Sequence, residues 1–130
     1  ELTPDFLKPE GDEKLKKFFS RWITSWEGKD LDGYIGSYHS EFMSDGKNKS
    51  AWRTYKQSLN KKYSEINIAP EQVMYFRHPK YSLIMFVQNY QSKFVGGGTA
   101  HKSSGTKTLL VAEEGEDYRI IEEDFTQSRW

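Results

Sequence analysis

At Tyr63 the spacing of apolar residues changes from a period near 3.6 to a period of two, and no other feature restricts the fold as much. Upstream, Leu15, Phe18, Phe19, Trp22, Ile23 and Trp26 recur at i, i+3, i+4, i+7, i+8 and i+11, the stripe of a helix with one buried face. Gly28 is the expected left-handed cap of that helix. Asp30 can cap a second, short helix in which Leu31, Tyr34, Ile35 and Tyr38 keep the spacing. Ser44-Asp45-Gly46 reads as a turn. From about Lys49 a third helix carries Trp52, Tyr55, Leu59 and Tyr63 on one side, with a lysine-rich solvated face opposite.

Downstream, Ile66 and Ile68, then Val73 to His78, read as one long strand with a bulge at Pro70. His78-Pro79-Lys80-Tyr81 turns the chain into a second strand over residues 83–95. There Ile84, Phe86, Gln88 and Tyr90 alternate with Leu83, Met85 and Val87, so both faces are at least partly covered. Gly96-Gly97-Gly98 through Ser104 is expected to be a flexible tip before a strand from Lys107 to Glu113. Glu114-Gly115-Glu116-Asp117 then makes a hairpin into Tyr118 to Phe125. Helices followed by a meander give an α+β fold, three N-terminal helices packed on a strongly curved antiparallel sheet in a roll or cone. Its domain is expected over residues 12–126, with a linker or arm at 1–11 and a tail at 127–130. A chain starting at Glu1 rather than Met is expected of a processed or excised piece.

The core of such a fold must be economical, because Leu, Ile, Val and Phe together number only 27 of 130 residues. That is close to the level at which disorder becomes the reading, but disorder also needs high net charge, and here the formal net charge is zero. Eight Tyr, eight Phe and four Trp supply large buried areas, with polar handles suited to a half-polar interior. The absence of cysteine excludes a disulfide framework, a thiolate nucleophile and Cys-based zinc sites. No apolar run approaches the 18 or so residues of a membrane-spanning helix.

Charge is segregated although it sums to zero. No acid occurs between Asp45 and Glu65, nor between Glu71 and Glu113, while both stretches are lysine-bearing. A one-sign field over a cleft can attract a carboxylate-rich ligand such as a peptide terminus. Gln88, Tyr90 and Ser92 stand at i, i+2 and i+4 on one strand face with Phe86 at its base. They form either a ligand-orienting wall or the solvent side of the sheet. His39, His78 and His101 are too dispersed for a metal site, and Gly96-Gly97-Gly98 opens no helix that would hold a phosphate. Neither a metal nor a cofactor is expected.

Several motifs sharpen this. Phe18-Phe19-Ser20-Arg21-Trp22 through Trp26-Glu27, Lys29-Asp30-Leu31, Tyr34, Tyr38 and Phe42 lead into Ala51-Trp52-Arg53 with Lys56. They continue through Phe86-x-Gln88-x-Tyr90-x-Ser92, Lys107-x-Leu109 and Tyr118-Arg119-Ile120-Ile121 with Glu123. The element order resembles the nuclear-transport-factor-2-like (NTF2-like) fold. The motifs, over about residues 13–125, are similar to the accessory domain that follows the catalytic domain in bacterial L,D-transpeptidase-type envelope proteins. The last hairpin departs from that pattern, with Val111 after Leu109-Leu110 where a Trp is usual. The resemblance implies a bacterial cell envelope or periplasmic setting, a cone cavity and pairing of two copies through the sheet.

Tyr38 and Trp52 are the aromatics expected to line a cavity, because both match the resembled motif. Lys107, central in its strand beside Leu109, needs a carboxylate partner, and Glu123 is the candidate, as a structural pair or one that also orients a ligand. A loop centred between Gly115 and Glu116 sets Lys107 opposite Asp124 and Leu109 opposite Glu122. Glu123 is then a diagonal neighbour unless a bulge shifts the count by one.

Two function classes remain. One is a non-catalytic accessory domain for ligand binding or assembly, its candidate ligand residues Tyr38, Trp52, Gln88, Tyr90, Lys107 and Glu123 and its ligand small or peptidic and peptidoglycan-related, with no nucleic-acid partner. The other is a ketosteroid-isomerase or dehydratase-like enzyme, which needs a base inside the cone. Only Asp45 and Glu122 to Asp124 could supply a carboxylate there, so no catalytic residue is assigned.

Overall fold

The apolar stripe folds as α1 (Glu13–Glu27), which buries Leu15, Phe18, Phe19, Trp22 and Trp26 in the computed structural model, where residues 13–78 and 80–128 are described. The arm at 1–11 lies outside the described residues. Gly28 is not the left-handed residue after α1; Lys29 is, at φ 57°. The reversal one position later lets the Lys29 amide donate to the Trp26 carbonyl, and its ammonium reaches the Tyr63 carbonyl at 2.6 Å. Asp30 caps α2 (Leu31–Ile35) by accepting from the Gly33 amide.

Tyr38 is not helical. Helix α2 stops at Ile35, and the following segment runs beside the last strand, with the His39 amide donating to the Ile120 carbonyl and the Ile120 amide to the Ser37 carbonyl, both at 2.8 Å. Tyr38 is thereby bridged to Ile120 in parallel sense. A small hairpin, β1 (Met43–Ser44) and β2 (Lys47–Asn48), turns at Asp45-Gly46 and leads into α3 (Lys49–Lys62), whose N-cap is Asn48. Tyr63 belongs to the sheet rather than the helix.

The sheet order is β3 (Tyr63–Arg77), β4 (Ser82–Phe94), β5 (Thr99–Glu114) and β6 (Asp117–Gln127), antiparallel throughout. The β3 bulge is not at Pro70, which pairs with Gln88; it falls between Glu71 and Met74, where Gln72 takes φ 53°. The tip is shorter than expected, because β5 already begins at Thr99. Further irregularities at Tyr63/Glu65, Ser92/Lys93 and Leu110/Val111 increase the local twist, which bends the sheet.

Alternation on β4 resolves which face is inside. Ile84, Phe86, Gln88 and Ser92 are buried toward the helices, while Leu83, Met85 and Val87 are half-buried on the outer face. The core joins α1 to the inner sheet face through Phe86, whose ring meets those of Phe19 and Trp22 edge to face. Gly105, on the inner face of β5, permits a close strand approach. A Cβ there would collide with the Thr126 carbonyl and come within 2.8 Å of Gln127 Cα and Phe125 Cζ.

Candidate functional site

Lys107 and Glu123 come together because of the bulge at Leu110/Val111. Lys107 faces Phe125, not Asp124, and Leu109 faces Glu123, not Glu122. The extra residue restores parity, so Lys107 and Glu123 share the inner face as diagonal neighbours. Lys107 Nζ donates to Glu123 Oε2 at 2.6 Å, with side chains 8% and 3% exposed.

The other carboxylate oxygen is also engaged. Tyr38, held beside β6 by its bridge to Ile120, donates its hydroxyl to Glu123 Oε1 at 2.6 Å. That hydroxyl also lies 2.8 Å from the Tyr34 hydroxyl and accepts from Trp22 Nε1 at 3.1 Å. A tyrosine has one hydroxyl hydrogen, so with Tyr38's committed to the carboxylate, Tyr34 must donate to Tyr38. Tyr34 in turn accepts from Trp52 Nε1 at 3.3 Å. Every donor in this chain points toward Glu123, and the Ser44 hydroxyl donates to the Glu123 main-chain carbonyl.

Burial alone would raise the Glu123 carboxyl. The ammoniums of Lys107 and then Lys56, with the hydrogen bonds from Lys107 and Tyr38, outweigh it and hold the carboxyl below its ordinary range. Burial and the Glu123 charge push the Tyr34 and Tyr38 hydroxyls well up, so both remain donors. Glu123 is therefore a satisfied anion. A general base needs an affinity for protons near the working pH, whereas the Glu123 carboxyl is held low and each of its oxygens already accepts a hydrogen bond. Asp45, Glu122 and Asp124 are exposed and line a second opening of about 350 Å³ that also reaches Trp52, Lys107 and Glu123.

Above the cluster opens a cavity of about 360 Å³, and Trp26, Trp52, Lys56, Gln88, Tyr90 and Lys107 are among its walls. Trp52, Gln88, Tyr90, Lys107 and Glu123 thus meet at one mouth. Tyr38 does not line it: fully buried, it is the hub behind Glu123. Ser92 is buried, and among the described residues Gln88 Oε1 has no hydrogen-bond partner.

Lys56 does not lie on the solvated side of α3. Its Nζ stands 4.7 Å from the Trp26 ring centroid and 5.1 Å from that of Trp52. Burial, opposed by Glu123 and reinforced by Lys107, lowers its ammonium to about 8. Its spacing of four from Trp52 is the signal that places it on the inner face. A larger depression of about 590 Å³ near Asn67 and Lys102 has its one carboxylate, Glu27, already accepting from the Ile68 amide. Among the described residues no three His, Asp or Glu side chains converge as metal ligands.

Helices closing over a bent antiparallel sheet, with a polar cluster beneath an open mouth, define the NTF2-like class. Residues 14–124 match the family described as the Cds6 C-terminal NTF2-like domain, and the chain belongs to that family. The fold is similar to Bd1075 of Bdellovibrio bacteriovorus (TM-score 0.80, 28% identity), covering 88% of this chain and 40% of that one. It is also similar to an NTF2-like protein of unknown function from Pseudomonas putida KT2440 (TM-score 0.76, 13% identity, 92% and 88% covered). A candidate dehydratase of the NTF2-like family from Streptomyces avermitilis follows (TM-score 0.78, 8% identity, 91% and 97% covered). These last two likenesses show the fold alone. No curated protein matches the chain significantly.

Proposed function

We propose that the chain is a non-catalytic accessory domain that holds a small or peptidic, peptidoglycan-related ligand in the mouth of its cone. The observation that carries this is the state of Glu123: the carboxylate at the base has both oxygens bonded and is held ionised, while the mouth above it stays open. An isomerase or dehydratase of this fold needs a base in the cone free to take a proton, and Glu123, the carboxylate that lines this mouth, already has both oxygens bonded. The sequence motifs resembling the domain that accompanies L,D-transpeptidases support a bacterial envelope setting. The 40% coverage of the Bdellovibrio chain supports a place within a longer protein. Titration with soluble muropeptides, followed by the indole N–H resonances, is expected to shift Trp26 and Trp52. Unmoved indole signals at millimolar muropeptide would sink the reading.

Pairing of two copies through the sheet belongs to the same reading. Leu83 and Met85 on the outer face align with Leu110 and with Met74, which is 40% exposed. A stable dimer would cover this apolar belt and bury on the order of 1,200 Å² or more. Sedimentation at tens of micromolar should then show a dimer, and a monomer throughout that range would remove the pairing.

A further inference from the structure

The mouth contains two ammoniums and one carboxylate. Lys56 and Lys107 both stand over the Trp26 ring, at 4.7 and 5.6 Å from its centroid, but Lys107 alone is hydrogen-bonded to Glu123. Lys56 has aromatic faces around it, Trp52, Tyr34 and Tyr55 besides Trp26, and no ion-pair partner among the described residues. Aromatic faces compensate a desolvated cation only partly. Glu123 acts on Lys56 only through space, so two ammoniums share one carboxylate and the mouth keeps one net positive charge.

In the wall of the same cavity, Gln88 is 4% exposed, and among the described residues its Oε1 has no donor. An amide left so is costly unless a partner arrives, and turning it end over end presents either its acceptor or its donor to that partner.

From this juxtaposition we propose that the mouth recognises a single carboxylate borne next to an amide, as in an N-acyl amino acid or the C-terminal end of a peptide. The carboxylate seats on the Lys56 ammonium and the ligand amide pairs with Gln88. This deepens the ligand-binding reading above and rests on it. The aromatic faces around Lys56 resemble a cage for a ligand ammonium, but Lys56 itself occupies that cage. A phosphate is disfavoured because the two ammoniums and one carboxylate of the mouth leave a single net positive charge, too little for a dianion. The cavity, about 360 Å³, lies at the small end of the range for ligand sites, suited to one or two residues rather than a folded partner.

The test uses N-acetyl-alanine and its methylamide, titrated into the whole chain and followed by the Trp26 and Trp52 indole resonances. The acid is expected to bind at least tenfold more tightly than the methylamide. Lys56→Met should weaken the acid at least tenfold while leaving the methylamide unchanged, and Gln88→Leu should weaken both. Because Lys56→Met removes the net positive charge of the mouth, the variant is expected to fold, and its unfolding midpoint verifies that. Equal binding of acid and methylamide, or full affinity in Lys56→Met, overturns the carboxylate assignment while the ligand-binding reading stands. Muropeptide binding without binding of N-acetyl-alanine has the same meaning, whereas silence toward every probe ends both.

Discussion

Lys107→Met should lower the unfolding free energy by about 3–5 kcal/mol, the cost of leaving one partner of a buried ion pair behind. The expectation follows from side chains 8% and 3% exposed and a contact of 2.6 Å, which leave little water to take over the lysine's role. Glu123→Gln should also destabilise, and the double variant should recover much of the loss, because two neutral side chains need no mutual compensation. The pH dependence supplies an independent readout. In the native protein the Glu123 carboxyl lies below its ordinary range, so its contribution is fully present above the unfolded value of about 4.3 and is lost as pH falls through the lower folded value. Without Lys107, only Lys56 and the Tyr38 hydroxyl oppose burial, so the folded carboxyl moves up toward the unfolded value. Less stability is then lost on acidification, and the slope of stability against pH flattens relative to the native protein. Denaturant midpoints for the three variants at pH 4 to 7 test this, and additive effects below about 0.5 kcal/mol would dissolve the pair as a structural element.

Tyr38→Phe is expected to cost about 2–3 kcal/mol, although the substitution removes a single oxygen and leaves no cavity worth the name. Hydrogen bonds to ionised groups are the stronger ones, at roughly 1.5–3 kcal/mol, and orphaned donors add their own desolvation penalty. Here one oxygen serves three partners: Glu123 Oε1, the Tyr34 hydroxyl and Trp22 Nε1. Removing it strands two donors and strips the carboxylate of one of its two side-chain donors. The Trp22 indole proton should move upfield and exchange faster. Tyr55→Phe, at a side chain whose residue is 43% exposed, is the control and should stay within about 0.5 kcal/mol. A Tyr38→Phe variant as stable as that control would mean the relay contributes nothing to the native state.

Much of this architecture was legible in the chain because burial imposes periodicity. The stripe from Leu15 to Trp26 specified α1, and the alternation from Ile84 to Gln88 specified a strand, but which of its faces lies inside came only with the burial of Ile84, Phe86 and Gln88. The places where reading along the chain went astray are those where a local irregularity carries no residue signature. Nothing in Leu110-Val111 or Ile120-Ile121 marks a bulge, so counting back from the Gly115 turn put Lys107 opposite Asp124. Tyr38 keeps helical spacing from Tyr34, but two turns of backbone bonding at Gly36 and Ser37 release it into an extended segment, and only its pairing with Ile120 fixes its direction. Lys56 was concealed by composition: among so many lysines on α3, the one four residues from Trp52 looked like the rest. Local rules describe what a residue prefers, whereas the partner that claims Lys56, the Trp26 ring, comes from another element 30 positions earlier.

The parallel bridge at Tyr38 also determines how this sheet can and cannot grow. Strand β6 is an edge strand, and an edge with free amides and carbonyls is a template for another chain. The Ser37–His39 segment consumes both main-chain groups of Ile120, and Ser44 takes the carbonyl of Glu123, so the middle of that edge is closed by the protein's own chain. An extended peptide seeking to lengthen the sheet would have to approach along β3 instead, past the bulge at Gln72. The segment that delivers the Tyr38 hydroxyl to the carboxylate thus doubles as a guard against edge-to-edge polymerisation.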